Sequence, residues 1–502
     1  MVSSPIRIHP QNSKLFEFRG QPLVLLTATE HYGAVMNRSF RFERYLDDTA
    51  DKGITLTRLF TLFRELQTSI NPYSTCKPES PDYIAPFERT GPGRALDGEP
   101  KFDLARPNPE FFERLHSFLT LASERRIIVE VVMLSNTYSE AVWALNPLNP
   151  ANNLSGLAAF EWPDYMSLRH PKLFTLQAAH VRRIVEETNR YDNVIYEVCN
   201  EPGGQVGGEG GGHPSLSEVN DWLEELIGVI RETEADLPHR HLVAGQEAFA
   251  HEPWEQSSDR TFREMDYDIV NMHPLPNTCY SGVAYDLGAF MSKQLRLRAL
   301  RDYGLATYSE AKPLNQDEDN IASQYKDEGG WTIHRKRAWT TLLTGGHYDY
   351  IDFSIAPYLE TGTPESNRAI RTWMKHLSAF IHSFDLSRSK PLPELVTAHP
   401  EHTLEVVYGV PGEDICVYLA DERELAVARG LEDDLVDRGA GRPLSGWVVI
   451  DLPEGRFLVS SFDPKTGLSS PATELEGGAG ARVKVSPFVH DLALRITRTE
   501  GV

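Results

Sequence analysis

Between residues 22 and 384 one pattern repeats: a short apolar, β-branched run ends in polar residues, and an amphipathic stretch follows. A parallel neighbour is reached only through a crossover, so this alternation predicts parallel strands covered by helices. The runs fall at 22–33, 53–60, 126–136, 193–202, 241–249, 267–274, 305–313 and 348–354. Asn108-Pro109 places an N-cap and a first-turn proline before PEFFERLHSFLTLASE, and Ser215 with Glu218 forms a capping-box pattern before VNDWLEELIGVIRE. A helix over 364–384 closes the series. A doubly wound open sheet competes, but it calls for a glycine-rich phosphate turn after strand one, and TATEHYG is not one. The expected fold class is therefore α/β, a (β/α)₈ barrel with enlarged loops.

The flanks differ in texture. IRIH and KLFEF around Pro10–Ser13 predict an N-terminal hairpin, which assigns residues 1–384 to one barrel domain. SRSKPLPEL carries two prolines, so 385–395 is expected to be an exposed linker. Residues 396–502 alternate in short strands separated by turn residues, which predicts a β-sandwich. The glycine-rich stretch 203–212 lacks the GK[ST] ending of a phosphate cradle and reads as a loop beside the site.

With 50 Lys+Arg against 72 Asp+Glu the net charge is −22, which repels phosphate backbones and anionic headgroups. Nucleic acid and membrane surfaces are therefore not expected as partners, and oligomeric state is left open. Cys76, Cys199, Cys279 and Cys416 show no metal-ligand spacing, and a Cys76–Cys279 disulfide stays open. No dinucleotide, zinc or P-loop pattern occurs, so no cofactor and no metal are expected. MVSSPIRIHPQNSK lacks the apolar core of a secretory leader, so a cytoplasmic location is the expectation, with secretion open if a leader preceded it.

In such barrels reactive side chains stand at the C-terminal strand ends. Asn200-Glu201-Pro202 ends strand four, and Tyr308-Ser309-Glu310-Ala311 ends the predicted strand seven, three steps around the ring. Two carboxyls facing across a barrel mouth can flank one glycosidic bond, one protonating the leaving oxygen and the other attacking or activating water. Glu197 shares strand parity with Glu201 one layer lower and reads as structural. Asn200 and Glu201, being adjacent, can both face a substrate only if the strand ends or bulges there.

VIYEVCNEP resembles the strand-four motif of glycoside hydrolase clan A, the cellulase-like retaining barrels, and TYSEAKP is similar to that clan's strand-seven motif. The likeness covers about residues 14–384, and the tail more weakly resembles the β-domain of apiosidase-like relatives. It implies Glu201 as acid/base, Glu310 as nucleophile and Asn200 as a contact to the sugar hydroxyl beside the anomeric carbon. Arg58 in LTRLF matches the clan's strand-two arginine beside the nucleophile, with an interior pair to Glu197 as the alternative. His273 corresponds to a strand-six histidine, but Leu275 stands where an aromatic is usual, leaving Tyr280 as the nearest tyrosine for the nucleophile. His31 and Asn136 end strands one and three and are candidate sugar contacts. Strand eight lacks the clan's tryptophan platform, for which Trp331 or Tyr350 could substitute. The implied function is hydrolysis of an oligosaccharide or glycoside through a glycosyl-enzyme, with exo action favoured. The alternative is a non-catalytic carbohydrate-binding barrel.

Overall fold

A computed structural model describes residues 4–29, 33–62, 82–204, 213–250, 255–288, 295–319, 328–423 and 441–499. Eight parallel strands form the central sheet: β1 (Leu26–Thr29), β2 (Leu56–Phe60), β3 (Ile128–Ser135), β4 (Val194–Asn200), β5 (Leu242–Gly245), β6 (Ile269–Met272), β7 (Leu314–Gln316) and β8 (His347–Ile351). Ladders run from β2 round to β8 and on to β1, and Thr55 N donates to Leu26 O at 3.0 Å, bringing the two ends together. The main crossover helices are α1 (Phe42–Asp51), α2 (Pro109–Glu124), α3 (Pro171–Thr188), α4 (Leu216–Glu234), α5 (Leu297–Thr307) and α6 (Glu328–Leu343), with α7 (Thr372–Ile381) after β8. Asn108 caps α2 through Glu110 N, and the Ser215–Glu218 capping box at α4 is reciprocal.

Seven of the eight predicted runs hold a barrel strand. The seventh is corrected. Residues 305–307 are the last turn of α5, 308–313 form a turn, and β7 begins only at Leu314. β7 is held by pairing on both sides, Val270 to Leu314 and Gln316 to Tyr348.

The N-terminal hairpin, Arg7–His9 with Asn12–Phe18, closes the lower end of the barrel. Its Phe16 and Phe18 pack in one cluster with Leu56, Ile128, Ile195, Ala244 and Ile269, residues at or near strand starts. That leaves the C-terminal strand ends as the open face.

Two antiparallel sheets follow. The larger contains β9 (Thr403–Val410), β10 (Asp414–Asp421), β12 (Arg456–Asp463), β13 (Thr473–Glu476) and β15 (Asp491–Arg498); the smaller pairs Val396–Ala398 with β11 (Leu444–Ile450) and β14 (Ala481–Phe488). Val407, Ile415 and Val417 meet Val448, Ile450 and Val483 between the sheets. Strand alternation turns Tyr408, Cys416 and Tyr418 the other way, into a cluster with Trp339, Phe380 and Ile381 of the barrel helices. With β9 and β10 buried on both faces, TLEVVYGV and DICVYLA read as near-continuous apolar runs.

The segment expected as an exposed linker is exposed only in part, at Asp385, Arg388, Lys390, Pro393 and Glu394. Leu386, Ser389, Pro391 and Leu392 are buried, and Lys390–Pro391 pairs with β9 as an edge strand, where proline's missing donor is tolerated. Cys199, Cys279 and Cys416 are free thiols, and Cys76 lies outside the described residues. Among the described residues no helix is long and apolar enough to cross a membrane.

Candidate active site

β4 ends at Asn200, and Glu201 turns out of the strand with φ +49°. That left-handed step is uncommon for a residue with a Cβ, and it lets Asn200 and Glu201 serve the same side. Asn136 fixes the turn from β3: its Nδ2 donates to Glu201 O at 3.0 Å, and its backbone N–H donates to Asn200 O at 3.0 Å. Tyr138, also left-handed at φ +54°, donates its hydroxyl to Glu201 Oε2 and accepts from Asn200 Nδ2 at 2.9 Å.

Across the barrel, β7 is followed by Asp317 and Glu318, the latter at φ +48°. An oxygen of Glu201, an oxygen of Glu318 and a ring nitrogen of His273 lie within 4.8 Å of one another. His273 bridges the two sides, with Nδ1 3.1 Å from Glu201 Oε1 and Nε2 3.4 Å from Asp317 Oδ2. Burial alone would lower its pKa, but hydrogen bonds to Asp317 and Glu201 and the charge of Glu318 outweigh that and hold the ring's pKa well above its ordinary value.

Arg58 of β2 is fully buried beneath these groups. Its Nε and Nη2 fork grips Glu197 at 2.9 and 2.7 Å, Nη2 also reaches Asn200 Oδ1 at 3.0 Å and Asp317 at 3.3 Å, and Nη1 donates to Glu318. Both readings of Arg58 thus coexist: it pairs with the interior Glu197 and with a strand-seven carboxylate. The guanidinium's pKa is raised despite burial, by Asp317, Glu197 and Glu318. Burial pushes the Glu197 carboxyl up to about 7 against the pull of Arg58, and Asp317 adds to the rise. Asp317 itself is lowered, because Arg58 and His273 overcome its burial.

Glu310 is not part of this group. It follows α5 and precedes β7, at the opposite end of the strand from Glu318. Tyr280 does hydrogen-bond it, at 2.7 Å, but the pair is outside the barrel mouth, where Arg263 Nε also holds Glu310 at 2.8 Å and Lys14 of the closing hairpin feels its charge. Tyr280 packs edge-on against Phe262 and Tyr303. Tyr350 is fully buried between barrel wall and helices, its ring 5.3 Å from His334, so it offers no platform to a sugar. Trp331 lies near the start of α6, half-buried against the same cluster. His31 lies outside the described residues.

The sequence reading therefore placed Glu201, Asn200, Arg58, His273 and Asn136 together, and missed Glu318, Asp317 and Tyr138. A usable signal for the first two existed: Asn315 to Asp319 is an unbroken run of amide and acid side chains after an apolar residue. Glu201, His273 and Glu318 have the number of donors a metal site needs. Yet both ring nitrogens of His273 face carboxylates and Arg58 holds Glu318, so the donors are already committed.

Residues 76–206 match a domain of unknown function, DUF6298. No curated protein matches the chain. Among solved structures it is similar to one described as a glycoside hydrolase, at 11% identity and a TM-score of 0.58, covering 99% of this chain and 98% of that one. A family 5 glycoside hydrolase from Bacteroides vulgatus is similar at 12% identity and TM-score 0.59, over 99% and 93%. A putative glycoside hydrolase from the same organism gives 12% and 0.63, over 99% and 83%. Each likeness spans barrel and β-domain together, and the chain has the fold of these glycoside hydrolases: a (β/α)₈ barrel carrying a C-terminal β-domain.

Proposed function

We propose that this chain hydrolyses glycosidic bonds with net retention, Glu318 attacking the anomeric carbon and Glu201 serving as acid, then base. The observation that carries this is the Glu201–His273–Glu318 cluster, whose donor atoms lie within 4.8 Å at the open end of the barrel. Retaining pairs stand about 5–5.5 Å apart, whereas inverting pairs are roughly 6.5–9.5 Å apart to admit a water. Arg58 donates to Glu318 and orients the attacking carboxylate, and Asn200, tied to both Arg58 and Tyr138, meets the sugar hydroxyl beside the reacting carbon. Exo action belongs to the same reading. The hairpin Phe87–Arg94 with Pro100–Pro107 bridges to Asn153 of the loop after β3, walling one side of the mouth. Release of a monosaccharide as first product from an end-labelled oligosaccharide checks it.

The decisive experiment uses an activated aryl glycoside and azide. Glu201→Ala should still form the glycosyl-enzyme and stall, since a nitrophenolate needs no proton; azide should then restore turnover with unchanged anomeric configuration. Glu318→Ala should lose activity by a factor on the order of 10⁴ or more, with azide yielding the inverted product. Glu310→Ala should keep wild-type turnover. Loss confined to Glu310→Ala sinks the assignment of Glu318, and an inverted wild-type product sinks retention. Folded protein that cleaves no glycoside in a broad screen, yet binds sugars, supports the non-catalytic barrel instead.

A further inference from the structure

The β-domain carries a groove that the barrel chemistry does not use. β11 and β14 pair so that Trp447 stands opposite Lys484, with Arg482 opposite Val449. Val448, Ile450, Val483 and Val485 face the sandwich core, so the pleat turns Trp447, Arg482 and Lys484 outward. Trp447 is 44% exposed, and the Arg482 guanidinium stacks 4.7 Å from the indole centroid. A solvent-facing Trp–Arg pair on two strands is ordinary by itself. Here, however, it forms one wall of a cavity of about 400 Å³, whose other wall is the edge of the larger sheet with Ser461 and Glu474.

Charge sharpens the reading. On a chain of net charge −22, this groove presents two cations, and neither Arg482 nor Lys484 forms an ion pair among the described residues. Unpaired cations beside an indole suit a ligand with an apolar face and a carboxylate: the ring packs on the aromatic, and the guanidinium fork takes the anion. Ser461, Ser486 and Glu474 add hydroxyl and carboxylate partners for the ligand's own hydroxyls.

We propose that this groove binds a uronic-acid residue of a polysaccharide, with the sugar face on Trp447 and its carboxylate on Arg482 and Lys484. The site is separate from the barrel mouth, and its occupancy does not depend on the reaction proposed there.

The test is affinity electrophoresis of the full chain, carrying Glu201→Gln so that the probe is not consumed, in gels containing polygalacturonate or its carboxyl-reduced form. An acidic polymer repels the molecule as a whole, so retardation must come from a local site. Retardation by polygalacturonate is expected, with little by the reduced polymer. Trp447→Ala and Arg482→Ala should each weaken it about tenfold, the usual cost of losing a central aromatic or arginine contact. Both positions are exposed, so circular dichroism should be unchanged, and in the otherwise wild-type chain neither substitution should alter turnover of a small aryl glycoside. No retardation, or equal retardation by both polymers, overturns the ligand class. Retardation that persists in Trp447→Ala overturns the site.

Discussion

His273 stands between Glu201 and Asp317 with both ring nitrogens engaged, and that arrangement has a pH signature. Outside the fold the imidazole loses its proton near pH 6.5; inside, its carboxylate neighbours keep the proton to higher pH. A folded pKa above the unfolded one stabilises fully below about pH 6.5, and the contribution fades as pH rises toward the folded value. Urea unfolding of wild type and His273→Gln should therefore show a wild-type advantage that shrinks above pH 6.5, by at most about 1.4 kcal/mol per pH unit. An advantage constant from pH 6 to 9 means the ring is neutral in the fold. At this scale the sequence was informative where a side chain lies within or at the end of a recognisable strand, as with Arg58 within β2 and Asn200 and Glu201 at the end of β4. It was silent on Tyr138, which reaches Glu201 only because its own backbone turns left-handed two residues beyond Asn136.

β7 shows why one element escaped the sequence. It is three residues long with a single apolar side chain, since Asn315 faces polar company and donates to Asn271 at 3.3 Å. Periodicity cannot register so short a strand, whereas LATYSEAKP mimics one while belonging to a helix end and a turn. What fixes β7 is tertiary pairing to β6 and β8 and, beyond its end, helix α6. Three consecutive cations of α6 are buried: Arg335 binds Asp491, Lys336 donates to Asp421 O at 2.9 Å, and Arg337 forks onto Asp319 at 2.6 and 2.7 Å. Arg337 also donates to Leu287 O and Leu295 O, so it ties the residue after Glu318 to the loop before α5. We predict that Arg337→Lys, which keeps the charge but loses the fork, lowers kcat per folded molecule by on the order of tenfold to a hundredfold. KM should change little, because the sugar contacts of β4 are untouched. Unchanged kcat in a destabilised variant would reduce Arg337 to a purely structural ion pair.

At the scale of the molecule the two domains share one apolar interior. The sequence separated a barrel from a β-domain correctly in texture, but a proline-rich stretch says nothing of whether it is buried; Leu386 and Leu392 are apolar enough to seat, and they do. Trp339 of α6 stacks on Tyr418 of β10 at 5.1 Å with ring planes 15° apart, while Phe380 of α7 joins both it and Phe462 of β12. Beside them the buried Arg335–Asp491 pair crosses from helix to sheet at 2.5 Å. Removing the β-domain would bare this apolar surface and leave the Arg335 charge without its carboxylate, so a chain cut after residue 384 should be insoluble or aggregated. In the intact chain neither half can lose its packing without exposing the other. Calorimetry should hence record one cooperative transition, and Trp339→Ala, costing about 3–5 kcal/mol, should lower it as a whole. Limited proteolysis should spare 386–392, whose backbone is paired and partly buried. Two resolved transitions, with Trp339→Ala shifting only one, or an early cut within 386–392 releasing a soluble, active barrel, would show that the β-domain is an independent passenger.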